Sequence, residues 1–185
     1  MQRRRKTIQR WVQDLLPPPI EVVARERWRV ALAAGLALVL IALFWRLLAW
    51  AMHWQGERLG LLAPLGASAL LVFATPASPM AQPWPAVVGN TLSVAVGLMV
   101  VRLLPMPEVA IMVALPASIA LMYATRSLHP PGVAMALLMV LTGPNADPWP
   151  LLICGFGGSL GLVILGRYFN AWTGKRYPIR LPVQR

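Results

Sequence analysis

The sequence predicts an all-α integral membrane protein. The expected architecture is a two-fold duplicated bundle of four long spans plus two short or broken helices, six membrane segments in all, preceded by a basic amphipathic N-terminal helix. Three observations predict it. Of 185 residues, 58% are apolar and only 12% charged, too apolar for a soluble domain of this length. Several apolar runs reach the ~20 residues that a helix needs to cross a bilayer core. The charges collect at the ends: of 17 Lys and Arg, eight lie at or before Arg29 and five at or after Arg167.

The elements follow in order. MQRRRKTIQRWVQDLL sets Ile8, Trp11, Val12, Leu15 and Leu16 on one helical face and basic residues on the rest, as in a helix lying on a membrane surface. Pro17–Pro19 stop it. Arg29 to Met52 is a full span, with Arg46 near its far end where it can snorkel. Leu61 to Thr75 is apolar but short and broken by Pro64 and Gly66. Leu61 to Leu65 and Ser127 to Pro130 are expected as irregular lead-ins to two short helices. A proline-rich connector precedes a span from Ala86 to Leu104, and PMPE separates it from Val109 to Thr125. Pro131 to Thr142 then offers only about 18 Å of helix against a ~30 Å core. A last span, LLICGFGGSLGLVILGRYF, ends at a basic tail.

This order repeats. In each half a full span precedes a short segment opened by proline and glycine (APLGASALL, HPPGVAMALL). A Pro-Trp-Pro turn and a glycine-rich span follow. Gly66 and Pro83 are 17 positions apart, Gly132 and Pro148 16. Duplicated halves with paired broken helices are how several transporters build a central site. The chain divides into a cytoplasmic basic segment (1–28), one transmembrane domain (29–170, halves 29–104 and 109–170) and a basic cytoplasmic tail (171–185). Basic flanks place both termini on the cytoplasmic side of a bacterial inner membrane.

The expected site is a pair of helix starts. Pro130 and Pro131 suit a first turn, where amide donors have no helical partner anyway. The amides near Gly132 would then face outward, and such an end seats anions. Arg126 and His129 lie just upstream. Gly66, Ala67 and Ser68 are expected to offer a second amide cluster, and Asn90 a carboxamide. None of the six acids, Asp14, Glu21, Glu26, Glu57, Glu108 and Asp147, falls inside a span. Cation carriers and carboxylate relays usually keep one there. The expected substrate is therefore a small monovalent anion, or a neutral acid that ionises in the site. His129 could move a proton with it, an imidazole ordinarily titrating near ~6.5.

No nucleophile–base–acid set and no phosphate loop is visible, so neither enzyme activity nor a cofactor is expected. Two histidines and one cysteine are too few for a metal site. The basic flanks are read as contacts to anionic headgroups, not nucleic acid. Plainer readings exist for the same residues. Arg126 can be an interface anchor, His129 a satisfied core ring, Ser68 and Asn90 helix–helix glue. Gly89, Ser93 and Gly97, like Gly157 and Gly161, recur every four residues and allow close packing; a homo-oligomer assembled through such faces is expected. Cys154 reads as a buried, inert thiol. Tryptophans 45, 50, 54, 84, 149 and 172 read as interface belts. The rival to transport is a membrane scaffold or sensor whose broken helices merely pack.

LHPPG at Leu128 to Gly132 resembles the signature of the HPP family of integral membrane proteins. LGASALLVFA, followed by AQPW and GNTLSVAVG, resembles that family's other block. The resemblance runs from about Arg29 to Tyr168. It implies a multi-span transporter, and plastid members suggest nitrite as the substrate. Its motifs fall on His129, Pro130, Pro131 and Gly132, on Gly66, Ala67 and Ser68, and on Gln82, Pro83 and Asn90. Val133 departs from the pattern: a bulky side chain stands where a small one is expected, which hinders close approach to that amide.

Overall fold

A computed structural model describes residues 23–54 and 59–179. The expected amphipathic helix before Pro17 lies outside the described residues. Every regular element among the described residues is helical. Helix α1 spans Ala24–Ala51. A 3-10 turn at Leu59–Leu61 runs directly into α2, Leu62–Ala74. After a 3-10 turn at Pro79–Ala81, a π turn at Pro85–Gly89 opens α3, Asn90–Leu103. Then come α4 (Pro107–Ala124), α5 (Pro130–Thr142) and α6 (Pro148–Trp172). Among the described residues, four helical stretches are long and apolar enough to cross a membrane: α1, Pro85–Leu103, α4 and α6. Helices α2 and α5 have 13 residues each, about 20 Å at ~1.5 Å per residue.

Proline sets most of the starts. Pro107, Pro130 and Pro148 each stand at the first position of a helix, where the missing amide costs nothing. Asp147 caps α6 by accepting from the Trp149 amide at 3.1 Å. The two Pro-Trp-Pro segments are helix starts, not the turns expected: Pro83 and Trp84 are already helical, as are Pro148–Pro150. The lead-in expected over Leu61–Leu65 is also helical. Pro64 sits within the first turn of α2, which tolerates it, so the chain continues from the 3-10 turn without a break. The lead-in before α5 is irregular, as expected.

Helix α3 is the hub. It packs against α4, α5 and α6, while α1 covers α2 and α6. One apolar core gathers Ile41, Leu65, Val72, Phe73, Met135, Met139 and Leu162. A smaller one joins Val96, Val100, Ala110, Ala114 and Val140 between α3, α4 and α5. Glycines make these approaches possible. A Cβ on Gly97 would run into the Ala136 carbonyl, and one on Gly157 would lie 2.8 Å from the Trp45 ring. Trp45 is thus a core residue, 7% exposed, not part of an interface belt. Trp50, Trp84, Trp149 and Trp172 are exposed, as belts require. The glycine-rich faces expected to join subunits are used within the chain, because α1, α2 and α5 already press on them. Cys154 is buried.

The connector after α2 is tied to the tail. Gln82 donates to the Pro76 and Ser78 carbonyls, both at 2.9 Å, and accepts from the Ile179 amide at 2.9 Å. Tyr177 donates to the Ala81 carbonyl at 2.9 Å, and burial pushes its phenol pKa up. Lys175 and Glu26 form an ion pair at 2.6 Å. That pair holds the start of α1 beside the end of α6.

Candidate functional site

The residue before a proline is driven into extended backbone, because the ring clashes with a helical neighbour. His129 obeys this, with φ −140° and ψ 102°. The extended residue turns its ring away from α5 and into the bundle, where it is fully buried. Three other buried polar side chains join it: Ser68 from α2, Asn90 from the start of α3 and Ser159 from α6. His129 Nε2 lies 2.9 Å from Ser68 Oγ, and Nδ1 2.7 Å from the Met80 carbonyl. Asn90 Nδ2 donates to Ser68 Oγ at 3.0 Å and to Ser159 Oγ at 2.9 Å. Ser159 donates to the Gly155 carbonyl at 2.8 Å.

The proton positions follow from these partners. A carbonyl only accepts, so Nδ1 carries the hydrogen. In a neutral ring Nε2 is then an acceptor, and Ser68 donates its one hydrogen to it. Ser159 has spent its hydrogen on Gly155. Both serine oxygens therefore need a donor, and the two hydrogens of Asn90 Nδ2 supply them. This fixes the carboxamide with its nitrogen toward the serines. Asn90 Oδ1 is left without a donor, and Ser93 Oγ, one helical turn on, also lacks a partner among the described residues. Unmet buried polar atoms are costly and uncommon. Ser68 has one more option: the Pro64 carbonyl lies 3.3 Å from its oxygen. Turning its hydrogen there would free Ser68 Oγ to accept from a protonated Nε2.

The expected site residues separate into three groups. His129, Ser68 and Asn90 come together. Pro130, Pro131 and Gly132 form the start of α5 beside them, but the Gly132 amide donates to the His129 carbonyl at 2.8 Å and does not face outward. Gly132 matters for packing: a Cβ there would lie 2.9 Å from Ser93 Oγ and 3.0 Å from the Gly89 carbonyl. Gly66 and Ala67 do not form an amide cluster. Both lie in the second turn of α2, where amides bond within the helix, and the helix starts four residues before Gly66. Arg126 stands apart. It is exposed and takes a left-handed φ of 55° that ends α4, so it does not lean toward His129. Gln82 and Pro83 belong to the connector.

Ser159 and the Met80 carbonyl were not foreseen. Ser159 sits in a glycine-rich run that reads as packing, and a backbone carbonyl leaves no trace in a sequence. Among the described residues no group of three or more His, Cys, Asp or Glu gathers that could hold a metal ion.

Two curated relatives, both transmembrane proteins of Dictyostelium discoideum, resemble the chain. One is 33% identical over 132 residues, covering 68% of this chain and 42% of the relative. The other is 42% identical over 85 residues, covering 44% and 30%. The chain thus spans less than half the length of these relatives. No solved structure matches. The family model described as "HPP, transmembrane region" matches residues 19–178, and on that match the chain belongs to the HPP family of integral membrane proteins.

Proposed function

We propose that the chain passes a small monovalent anion across the membrane, with nitrite the candidate its family resemblance suggests. The site is the hydrogen-bonded chain Met80–His129–Ser68–Asn90–Ser159. One observation carries this reading: a buried histidine is wired to three neutral side chains from three helices, with no carboxylate among them. Such a cluster can become positive by gaining one proton and then neutralise one anion. Ser68 supports the step. As its hydrogen swings to the Pro64 carbonyl, Nε2 takes up a proton while Nδ1 keeps its bond to Met80. The unpaired Ser93 hydroxyl supplies a further donor, and Asn90 Oδ1 accepts from the acid form.

The two short helices have equal length, which supports duplicated halves. The paired helix tips play no part in the reading, because α2 has no break at Gly66. The basic flanks and the Glu26–Lys175 pair support termini on one side, taken as the cytoplasmic side of a bacterial membrane. A homo-oligomer, proposed alongside, would meet through exposed apolar faces such as that of α4. No catalysis is assigned.

The test is flux into proteoliposomes that report internal pH. Nitrite is expected to enter with acidification of the lumen and little response to an imposed voltage. Nitrate, formate and chloride define the selectivity. A scaffold or sensor is the second reading, favoured by one observation: every hydrogen of the chain is already spent on protein. Failure of all four anions to move or bind would select it.

A further inference from the structure

Away from that site, a groove of about 140 Å³ opens on the lipid-facing side between α1 and α6. Ala33, Ala37 and Leu40 line one wall, Leu165 and Phe169 the other, and Phe73 the floor. The alanines form the trough. Leu36 and Leu40 beside them are 60% and 45% exposed and form the rim. The α1 wall follows a helical stripe, and one turn above Ala33 the stripe ends in Arg29. The α6 wall ends likewise in Trp172. Aromatic rings lead from floor to mouth: Phe73 and Phe169 centroids are 5.3 Å apart, Phe169 and Trp172 6.4 Å. The Arg29 guanidinium lies 4.7 Å over the Trp172 ring.

Arg29 makes no ion pair within 4 Å among the described residues, while its neighbour Glu26 is paired with Lys175. Among the described residues, Lys175 and Arg29 thus share the single Glu26 carboxylate, and the mouth of the groove carries one positive charge in excess. The indole holds the guanidinium by its face, and the N–H groups along the guanidinium edge are left to donate two hydrogen bonds to an oxyanion. Depth identifies the occupant. From Arg29 to Leu40 is about 16 Å along the helix, at ~1.5 Å per residue. Half of a ~30 Å core is about 15 Å. The lined part, Ala33 to Leu40, makes up about 10 Å of that stretch of α1, and Arg29 stands one turn beyond it, so groove and cation together match one leaflet.

We propose that this groove holds a single anionic phospholipid, its phosphate on Arg29 and one acyl chain between α1 and α6. A helix from another subunit would have reason to continue along α1 past the midplane; a lipid ends there. The site is independent of the anion pathway.

The test is native mass spectrometry of the full chain released from bilayers of equal phosphatidylglycerol and phosphatidylcholine. The wild type is expected to retain one phosphatidylglycerol in preference to phosphatidylcholine. Arg29→Gln should reduce that preference roughly fivefold. Ala33→Leu, which fills the trough, should lower retention of both lipids without changing the melting temperature. Equal retention of the two lipids by the wild type, or an unchanged preference in Arg29→Gln, would overturn the proposal. So would an Ala33→Leu chain that turns from dimer to monomer, which would assign the groove to a second copy. Retention that appears only after removal of residues 1–22 would assign it to the chain's own N-terminal segment.

Discussion

Helices α2 and α5 have the same length and similar sequences at their starts, yet they begin in different ways. In α5, two prolines follow His129 and force it into extended backbone, so the helix starts abruptly and a polar ring turns into the core. In α2, Pro64 comes third, after Leu62 and Ala63, within a turn that needs no amide there. The chain therefore winds from a 3-10 turn straight into helix, and Gly66 falls inside it. A proline and a glycine do not make a helix end; the position of the proline in the turn does. The difference divides the work: α5 contributes a histidine at its cap, α2 a serine from its body.

Substitutions can break this contrast. The largest effect is expected for Ser68→Ala. It removes the donor for His129 Nε2 and an acceptor for Asn90, and should cost about 1–3 kcal/mol. Ala67→Ser, exposed one residue earlier, should stay within about 0.5 kcal/mol. Thermal melts in one detergent compare the two. Gly132→Ala comes next: its new Cβ meets the Ser93 hydroxyl and the backbone of Gly89, costing about 1–3 kcal/mol depending on how far α5 can shift. Arg126→Gly should stabilise by about 1 kcal/mol, because only glycine takes a left-handed φ without steric cost. Nitrite flux should not change, since Arg126 lies outside the cluster. Apart from the Ala67→Ser control, the smallest effect is Gly66→Ala. Its Cβ would meet only Leu38 Cδ1 at 3.7 Å, so the helical preference of alanine should add up to about 1 kcal/mol. Opposite signs at Gly132 and Gly66 would sharpen the contrast; equal signs would break it.

Much of the fold was legible in the sequence. Four long apolar runs are four long helices, and Pro131–Thr142 is a short one, because hydropathy and proline act locally. His129, Ser68 and Asn90 were legible as polar residues in apolar surroundings. Their meeting was foreseen for another reason, a pair of exposed helix tips, and the contact is instead made by side chains. The rest depends on tertiary contacts. Nothing near Ser159 or Met80 shows that both meet the same site, and Trp45 looks like its exposed neighbours until Gly157 is seen to receive it. Arg126 illustrates the limit well. A cation three residues from a histidine looks like its partner, but Arg126 itself takes the left-handed φ that ends α4 and stands exposed at the surface.

The most direct test is initial nitrite uptake by His129→Gln, measured beside Gly66→Ala in proteoliposomes with matched helical content. The account predicts uptake lost in the first and retained in the second. Uptake at the wild-type rate in a folded His129→Gln protein would contradict it.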